Sequence, residues 1–225
     1  MFDLDGTLVD SRRDLAESAN ALIAELGGRP LTEDQIGRMV GEGAGLLVRR
    51  ALAGAGLEEE HPGALDRFLE IYDGRLLNHT HLYPGVLDAV HGAKVYARVA
   101  VLTNKPLAPT RRILEALGIA SLFDDVVGGD GPLPRKPDPA ALLALMASAG
   151  VRGEHTLLVG DSAFDRETAR RAGARCCLVS YGFGFHTVAA ADGPMDGECV
   201  VADTAALTDA IDRFASLATA IPGTP

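Results

Sequence analysis

The feature that most constrains the fold is a change of period at Tyr83-Pro84-Gly85. Upstream of this turn, from Ser11 to about Leu77, apolar residues recur at helical spacing and no strand pattern interrupts them. Leu15, Ala19, Leu22, Ile23 and Leu26 form one apolar face, with Ser11 and Asp14 reading as its capping box and Gly27-Gly28 as its stop. Thr32 with Gln35 opens a second helix that turns Ile36, Met39 and Val40 inward. After the glycine-rich run Gly41-Glu42-Gly43-Ala44-Gly45, Leu47, Val48, Ala51 and Leu52 make a third, and Leu65, Phe68, Leu69, Tyr72 and Leu76 a fourth. Four short helices without a strand predict a small bundle. Downstream the pattern alternates. Strand-like Arg98 to Leu102, Val126-Val127, Thr156 to Gly160, Arg175 to Ser180 and Cys199 to Ala202 are separated by helical stretches, one of them capped by Asp138, and a last helix runs from near Ala205 to Leu217. Such alternation requires right-handed crossovers and a parallel sheet, whose ligands gather beyond the carboxyl ends of the strands.

Ahead of the bundle stands Phe2-Asp3-Leu4-Asp5-Gly6-Thr7-Leu8. Two acids spaced by one residue share a face of an extended chain, and Gly6 permits the turn that bends both toward one pocket. Crowded carboxylates need a hard cation, a shared proton or a lysine, and the pair suits Mg²⁺. The chemistry expected of it is attack on phosphorus by Asp3, giving an aspartyl-phosphate, with Asp5 as general acid and base. A solvated acidic turn is the plainer reading of the pair taken alone. Only Met1 and Phe2 precede the first acid, so the opening strand is expected to be short or to start further upstream.

Three later segments bear on that choice. Thr103-Asn104-Lys105-Pro106 and Asp161 follow predicted strands, and Lys136 lies between prolines in Arg135-Lys136-Pro137-Asp138-Pro139. Each alone reads as a turn, a helix cap or a surface charge; together they supply what phosphoryl transfer requires. Lys136, the Thr103 hydroxyl and a backbone amide near Asn104 are expected to hold the phosphoryl oxygens. Asp3, Asp161 and the main-chain carbonyl of Asp5 are expected to hold the metal, with Asp165 orienting Lys136 or the metal's waters.

Composition excludes several classes. A net charge of −10 over 225 residues offers no basic stripe for a nucleic-acid backbone, and no apolar run is long enough to span a bilayer. A cytoplasmic location is the expectation, with no nucleic-acid or membrane partner and either a monomer or a homodimer. Lysine is scarce: of 21 basic residues only Lys94, Lys105 and Lys136 are lysines, so a retained lysine points to a need for a compact charge. Cys176 and Cys177 are expected on opposite faces of a strand as small buried hydrophobes, and His79 and His81 in a solvated linker.

The ordered motifs Asp-Leu-Asp-Gly-Thr-Leu, Thr-Asn-Lys-Pro, Arg-Lys-Pro-Asp-Pro and Gly-Asp-Ser-Ala-Phe-Asp resemble those of the haloacid dehalogenase-like hydrolases over nearly the whole chain. The resemblance implies an α/β fold, a Rossmann-like parallel-sheet core formed by residues 1–10 and 83–225, and an inserted helical-bundle cap formed by residues 11–82. It implies the same roles residue by residue: Asp3 nucleophile and metal ligand, Asp5 acid/base and ligand through its carbonyl, Thr103 and Asn104 phosphate contacts, Lys136 charge stabiliser, Asp161 metal ligand, Asp165 support. Residues 41–52, 103–106 and 135–139 look most like those of phosphoglycolate phosphatases. The implied activity is Mg²⁺-dependent hydrolysis of a small phosphate monoester, 2-phosphoglycolate first among them. A phosphatase of pyrophosphate or a sugar phosphate, a phosphomutase, a phospho-accepting signalling module and a non-catalytic binding module are the alternatives. A dehalogenase is disfavoured because halide displacement needs no acid/base at Asp5. Arg49 or Arg50 is a candidate for a substrate carboxylate, against the plainer reading of both as solvated.

Overall fold

The structure of the protein, a computed structural model, describes residues 1–188 and 197–220. The chain enters in the middle of a parallel sheet. Phe2 bridges Val101 on one side and Val159 on the other. Its N–H donates to Ala100 O at 2.8 Å and its carbonyl accepts from Leu102 N–H at 2.9 Å, while Asp3 N–H donates to Val159 O at 2.9 Å. The run before the first acid is thus as short as the sequence implies, yet it holds the central place. Phe2 is 2% exposed, burial of a side chain of this size being worth about 1.5–3 kcal/mol.

Gly6, at φ +85°, turns the chain away from the sheet. Strand β1 (Val9–Asp10) pairs antiparallel with β2 (His81–Leu82), Val9 opposite Leu82, so the helical segment leaves and rejoins the sheet side by side. Between them lie α1 (Arg12–Glu25), α2 (Glu33–Gly37), α3 (Ala44–Gly54) and α4 (Ala64–Asp73), with α1 packed on each of the other three. Leu15, Leu22, Ile23, Ile36, Leu52, Phe68 and Leu76 are buried in their shared core.

The two predicted capping boxes have different outcomes. At α2 the Thr32 hydroxyl accepts from Gln35 N–H at 3.2 Å and Gln35 Oε1 accepts from Thr32 N–H at 2.8 Å, as expected. At α1 the expectation is corrected: Ser11 sits at the cap position without capping, and its hydroxyl donates to Asp5 Oδ1 at 2.5 Å. Asp14 is fully buried and accepts instead from His79 N–H, Thr80 N–H and the Thr80 hydroxyl, the last two at 2.7 Å. A buried carboxylate needs several donors, and the returning chain supplies more than a serine at the cap can.

Beyond β2 come α5 (Val86–Tyr96), β3 (Ala100–Leu102), α6 (Leu107–Ala116), β4 (Asp125–Val127), α7 (Ala140–Ala149), β5 (Leu157–Gly160), α8 (Ala163–Ala172), β6 (Arg175–Val179), β7 (Glu198–Val201) and α9 (Thr204–Ala220). The order across the sheet is β4, β3, residues 1–3, β5, β6, β7, all parallel. At α7 the cap falls one residue later than predicted: Pro139 occupies it, and the Asp138 carboxylate accepts from Ala140 N–H at 2.9 Å. Both faces of the sheet are covered. Cys177 and Val179 pack in the cluster that includes Val90, Leu207 and Ile211, while Cys176 and Leu178 pack in that of Leu142, Leu145 and Met146. The two cysteines therefore divide between faces as their adjacency on a strand demands. Among the described residues no helix is long and apolar enough to cross a membrane.

Candidate active site

Four chain segments converge beyond the carboxyl ends of the central strands. Asp3 is carried by the central run and Asp161 follows β5 directly, so the two acids come from adjacent strands. Both are buried, Asp161 to 2% exposure. Lys136 arrives from the loop between β4 and α7 and places its ammonium 2.9 Å from Asp3 Oδ1 and 2.6 Å from Asp165 Oδ1. Asp165 stands one turn into α8, where its other oxygen takes the N–H and hydroxyl of Ser162 at 3.1 and 2.6 Å. Ser162, not Asp161, caps that helix, and Asp165 closes the capping box.

Carboxylates of Asp3, Asp161 and Asp165 approach within 4.8 Å of one another against a single ammonium. The electrostatics follow from that count. Burial raises Asp3 to about 6, outweighing the pull of Lys136. Burial, then Asp165 and Asp3, push Asp161 well above the usual carboxylate range. Burial alone would lower Lys136, but Asp165 and Asp3 overcome it and hold the ammonium charged. Asp161 takes one hydrogen bond, from Gly184 N–H at 2.7 Å, and Asp3 Oδ1 meets Lys136 as an ion pair at 2.9 Å without satisfying hydrogen-bond geometry. Underused oxygens on two crowded, buried acids fit a hard divalent cation. Asp165, with both oxygens already occupied, is suited to holding Lys136.

Asp5 faces the other way, toward the helical segment. Its carboxylate accepts from the Ser11 hydroxyl and from Lys105 Nζ at 3.1 Å to each oxygen. Thr103 is buried, and its Oγ1 accepts from Lys105 N–H at 3.2 Å, which leaves the hydroxyl hydrogen to donate. The Asn104 side chain is fully committed, donating to Gly41 O at 2.8 Å and Lys136 O at 3.0 Å and accepting from Lys136 N–H at 2.9 Å. Asn104 therefore ties the Lys136 loop and the glycine-rich segment to the end of β3, and only its backbone N–H remains for a ligand. Asp3, Asp5, Thr103, Asn104, Lys136, Asp161 and Asp165 thus all lie at this end of the sheet. Arg49 and Arg50 do not reach it: Arg49 pairs with Glu59 and Glu60, Arg50 with Glu42.

Residues to which the sequence assigns no role in the site complete it. Lys105 and Tyr72 were legible only as a turn lysine and a core aromatic, and Ser11 as a cap. Gly6, Gly182 and Gly184 press on Asp161: a Cβ on Gly6 would lie 1.9 Å from its Oδ2 and one on Gly182 2.2 Å from its Cβ. Two glycines spaced by one residue just past a predicted strand were the available signal. A cavity of about 60 Å³ separates these groups from the helices, walled by Leu15, Val40, Leu47, Phe68 and Leu69 on the helical side. A larger cavity of about 370 Å³ lies under Met1 and Phe2 at the opposite end of the strands, and none of these acids lines it.

The family model of haloacid dehalogenase-like hydrolases matches residues 1–179. A phosphoglycolate phosphatase of Rhodospirillum rubrum is 46% identical over 84% of this chain and 82% of its own length. Phosphoglycolate phosphatase 1 of Pseudomonas aeruginosa is 41% identical over 86% of this chain and 73% of its own. Among solved structures, that of a predicted phosphoglycolate phosphatase from Haemophilus somnus superposes with a TM-score of 0.82 at 31% identity, covering 92% of this chain and 95% of that one.

Proposed function

The chain belongs to the haloacid dehalogenase-like hydrolases and is a phosphoric monoester hydrolase, and we propose that it hydrolyses 2-phosphoglycolate to glycolate and phosphate through a phosphorylated Asp3. The observation that carries the mechanism is the division of labour between two acids two residues apart: Asp3 is turned into the buried cluster with Lys136, Asp5 toward the cavity with Ser11 and Lys105. A nucleophile and an acid/base must address opposite sides of the ester's phosphorus–oxygen bond, and the different facings of these carboxylates support that reading.

In the first half-reaction an Asp3 oxygen forms a bond to phosphorus as the bond to the ester oxygen breaks, and Asp5 delivers a proton to that oxygen. In the second, Asp5 takes a proton from water as it attacks the phosphorus, releasing phosphate and restoring Asp3. Lys136 and the Thr103 hydroxyl hold phosphoryl oxygens, and the backbone N–H of Asn104 is the third donor. Asp3, Asp161 and the main-chain carbonyl of Asp5 would hold Mg²⁺, which would supply charge neutralisation for a dianionic phosphate in an acidic site. Residues 11–82 serve as the cap that excludes bulk water from a cytoplasmic enzyme whose core is 1–10 and 83–225, of which 189–196 and 221–225 lie outside the described residues. The small cavity favours a compact ester over a nucleotide. The reading is tested by phosphate release from 2-phosphoglycolate, pyrophosphate and a sugar phosphate, with and without Mg²⁺, in wild type and Asp3→Asn. Metal-dependent preference for phosphoglycolate, abolished in the variant, is expected. Turnover of another ester instead discards the substrate, and no turnover by folded protein discards the mechanism.

A further inference from the structure

Lys105 is a buried ammonium with no part in the mechanism above. Among the described residues that line the cavity it is the one cation, and the wall opposite is apolar. It follows β3 by three residues, and its Nζ lies 3.1 Å from both oxygens of Asp5 and 2.6 Å from the Tyr72 hydroxyl, which comes from α4 in the helical segment. Tyr72 is itself held in place: its ring stacks on Phe68 at a centroid distance of 5.8 Å, and Lys105 Nζ sits 4.6 Å from its centre. Because the hydroxyl accepts from Lys105, its own hydrogen is left to donate. Burial raises Tyr72 to about 12, so that hydrogen is retained at neutral pH.

We propose that Lys105 and Tyr72 together form the receptor for a second anionic group on the substrate, the carboxylate of a phosphoester whose alcohol is an α-hydroxy acid. This rests on the phosphatase reading and deepens it. Asp5 must touch the ester oxygen to protonate it, so Lys105 lies within two hydrogen-bond lengths, ~6 Å, of that oxygen. In 2-phosphoglycolate a single methylene separates the ester oxygen from the carboxylate, which brings the carboxylate within reach of both donors. An apolar substituent at that position would face an ammonium and a hydroxyl it cannot bond, while the helical wall of the cavity, with Leu15, Val40, Leu47, Phe68 and Leu69, offers a carboxylate no donor. Since Tyr72 belongs to the helical segment and Lys105 to the sheet, the receptor is complete only where the two meet.

The test compares 2-phosphoglycolate with ethyl phosphate, which keeps the two-carbon alcohol and lacks the carboxylate. The ratio of kcat/KM between them is expected to fall roughly 30- to 100-fold in Lys105→Met and about 5- to 10-fold in Tyr72→Phe, the range of a charged and a neutral hydrogen bond. A ratio that holds within twofold in both variants, or rates on the two esters that fall in parallel, would show that Lys105 serves only Asp5 and overturn the proposal. Calorimetry on Asp3→Asn gives a readout independent of turnover: tighter binding of 2-phosphoglycolate than of ethyl phosphate, narrowed by adding Tyr72→Phe, supports the receptor, and equal binding overturns it. If Lys105→Met fails to fold, Tyr72→Phe and the calorimetry decide. If wild type turns over no ester, the proposed function fails, while the binding preference still settles the role of Lys105 and Tyr72.

Discussion

Replacing Asp3, the proposed nucleophile, should stabilise the protein when no metal is present. Asp3 is raised to about 6 from an ordinary 3.8, chiefly by burial, so ionising it in the folded state is costly. The difference of roughly 2 pH units, at 1.36 kcal/mol each, gives about 3 kcal/mol. The sign follows from proton counting. Below pH 3.8 Asp3 is protonated folded and unfolded, and it contributes nothing. As the pH rises from there the unfolded chain releases its proton first, so stability declines, and above about 6 both states are ionised and the full cost is present. Asn keeps the shape and a carbonyl for Lys136 but carries no charge, and Lys136 retains Asp165 at 2.6 Å. In EDTA, urea unfolding of Asp3→Asn at pH 8 should therefore give a free energy about 1–3 kcal/mol above wild type, and the gap should close toward pH 4. Saturating Mg²⁺ should reverse the order, because a ligand that binds the folded state adds RT ln(1 + [L]/Kd) to wild type alone. A variant less stable than wild type at pH 8 in EDTA, or a gap that ignores pH, would refute the claim that this cluster carries excess negative charge.

Two further substitutions probe the same cluster from other sides. Lys136→Met removes the one ammonium facing Asp3 and Asp165 and should cost about 3–5 kcal/mol in urea unfolding at pH 7, with a smaller loss at pH 5 where Asp3 can hold a proton. Gly6→Ala, at φ +85° with its Cβ 1.9 Å from Asp161 Oδ2, should lose the Mg²⁺-dependent rise in melting temperature as well as about 1–3 kcal/mol of backbone strain. Gly118→Ala is the matched comparison: its φ is +71° but its Cβ would meet nothing, so it should pay the strain and keep the metal response.

The parts of this molecule that the sequence makes legible are those set by period and by order along the chain. Helical spacing puts Leu15 with Leu22 on one face and Phe68 with Tyr72 on another, and the alternation after Pro84 predicts the parallel sheet whose strand ends collect Asp3, Thr103 and Asp161. What period cannot show is which of two polar partners a side chain will choose. Ser11 and Asp14 have the spacing of a capping box, yet each is claimed by a group distant from α1, Asp5 for one and the chain at Thr80 for the other. Asn104 illustrates the same limit: a polar residue at a strand end reads as a ligand contact, but its amide is spent on Gly41 and Lys136, 63 and 32 residues away. Gly182 gave a signal of spacing without a reason for it, since the reason is the approach of Asp161 from another strand.

The scarcity of lysine now has a structural meaning. Lys94 is on the surface, 3.6 Å from Asp124, where an arginine would serve as well. Lys105 and Lys136 are both buried, and each is the sole ammonium against an acid of the opening motif, Asp5 for the first and Asp3 for the second. An ammonium can turn its three donors to partners in different directions, whereas a guanidinium holds its donors in one plane. Lys136 donates to Asp165 and pairs with Asp3, and Lys105 divides its donors between Asp5 and Tyr72. The two acids two residues apart in the opening motif are thus kept in separate electrostatic environments by two lysines from separate loops. That separation is what the proposed mechanism requires of a carboxylate that attacks phosphorus and a neighbour that handles protons.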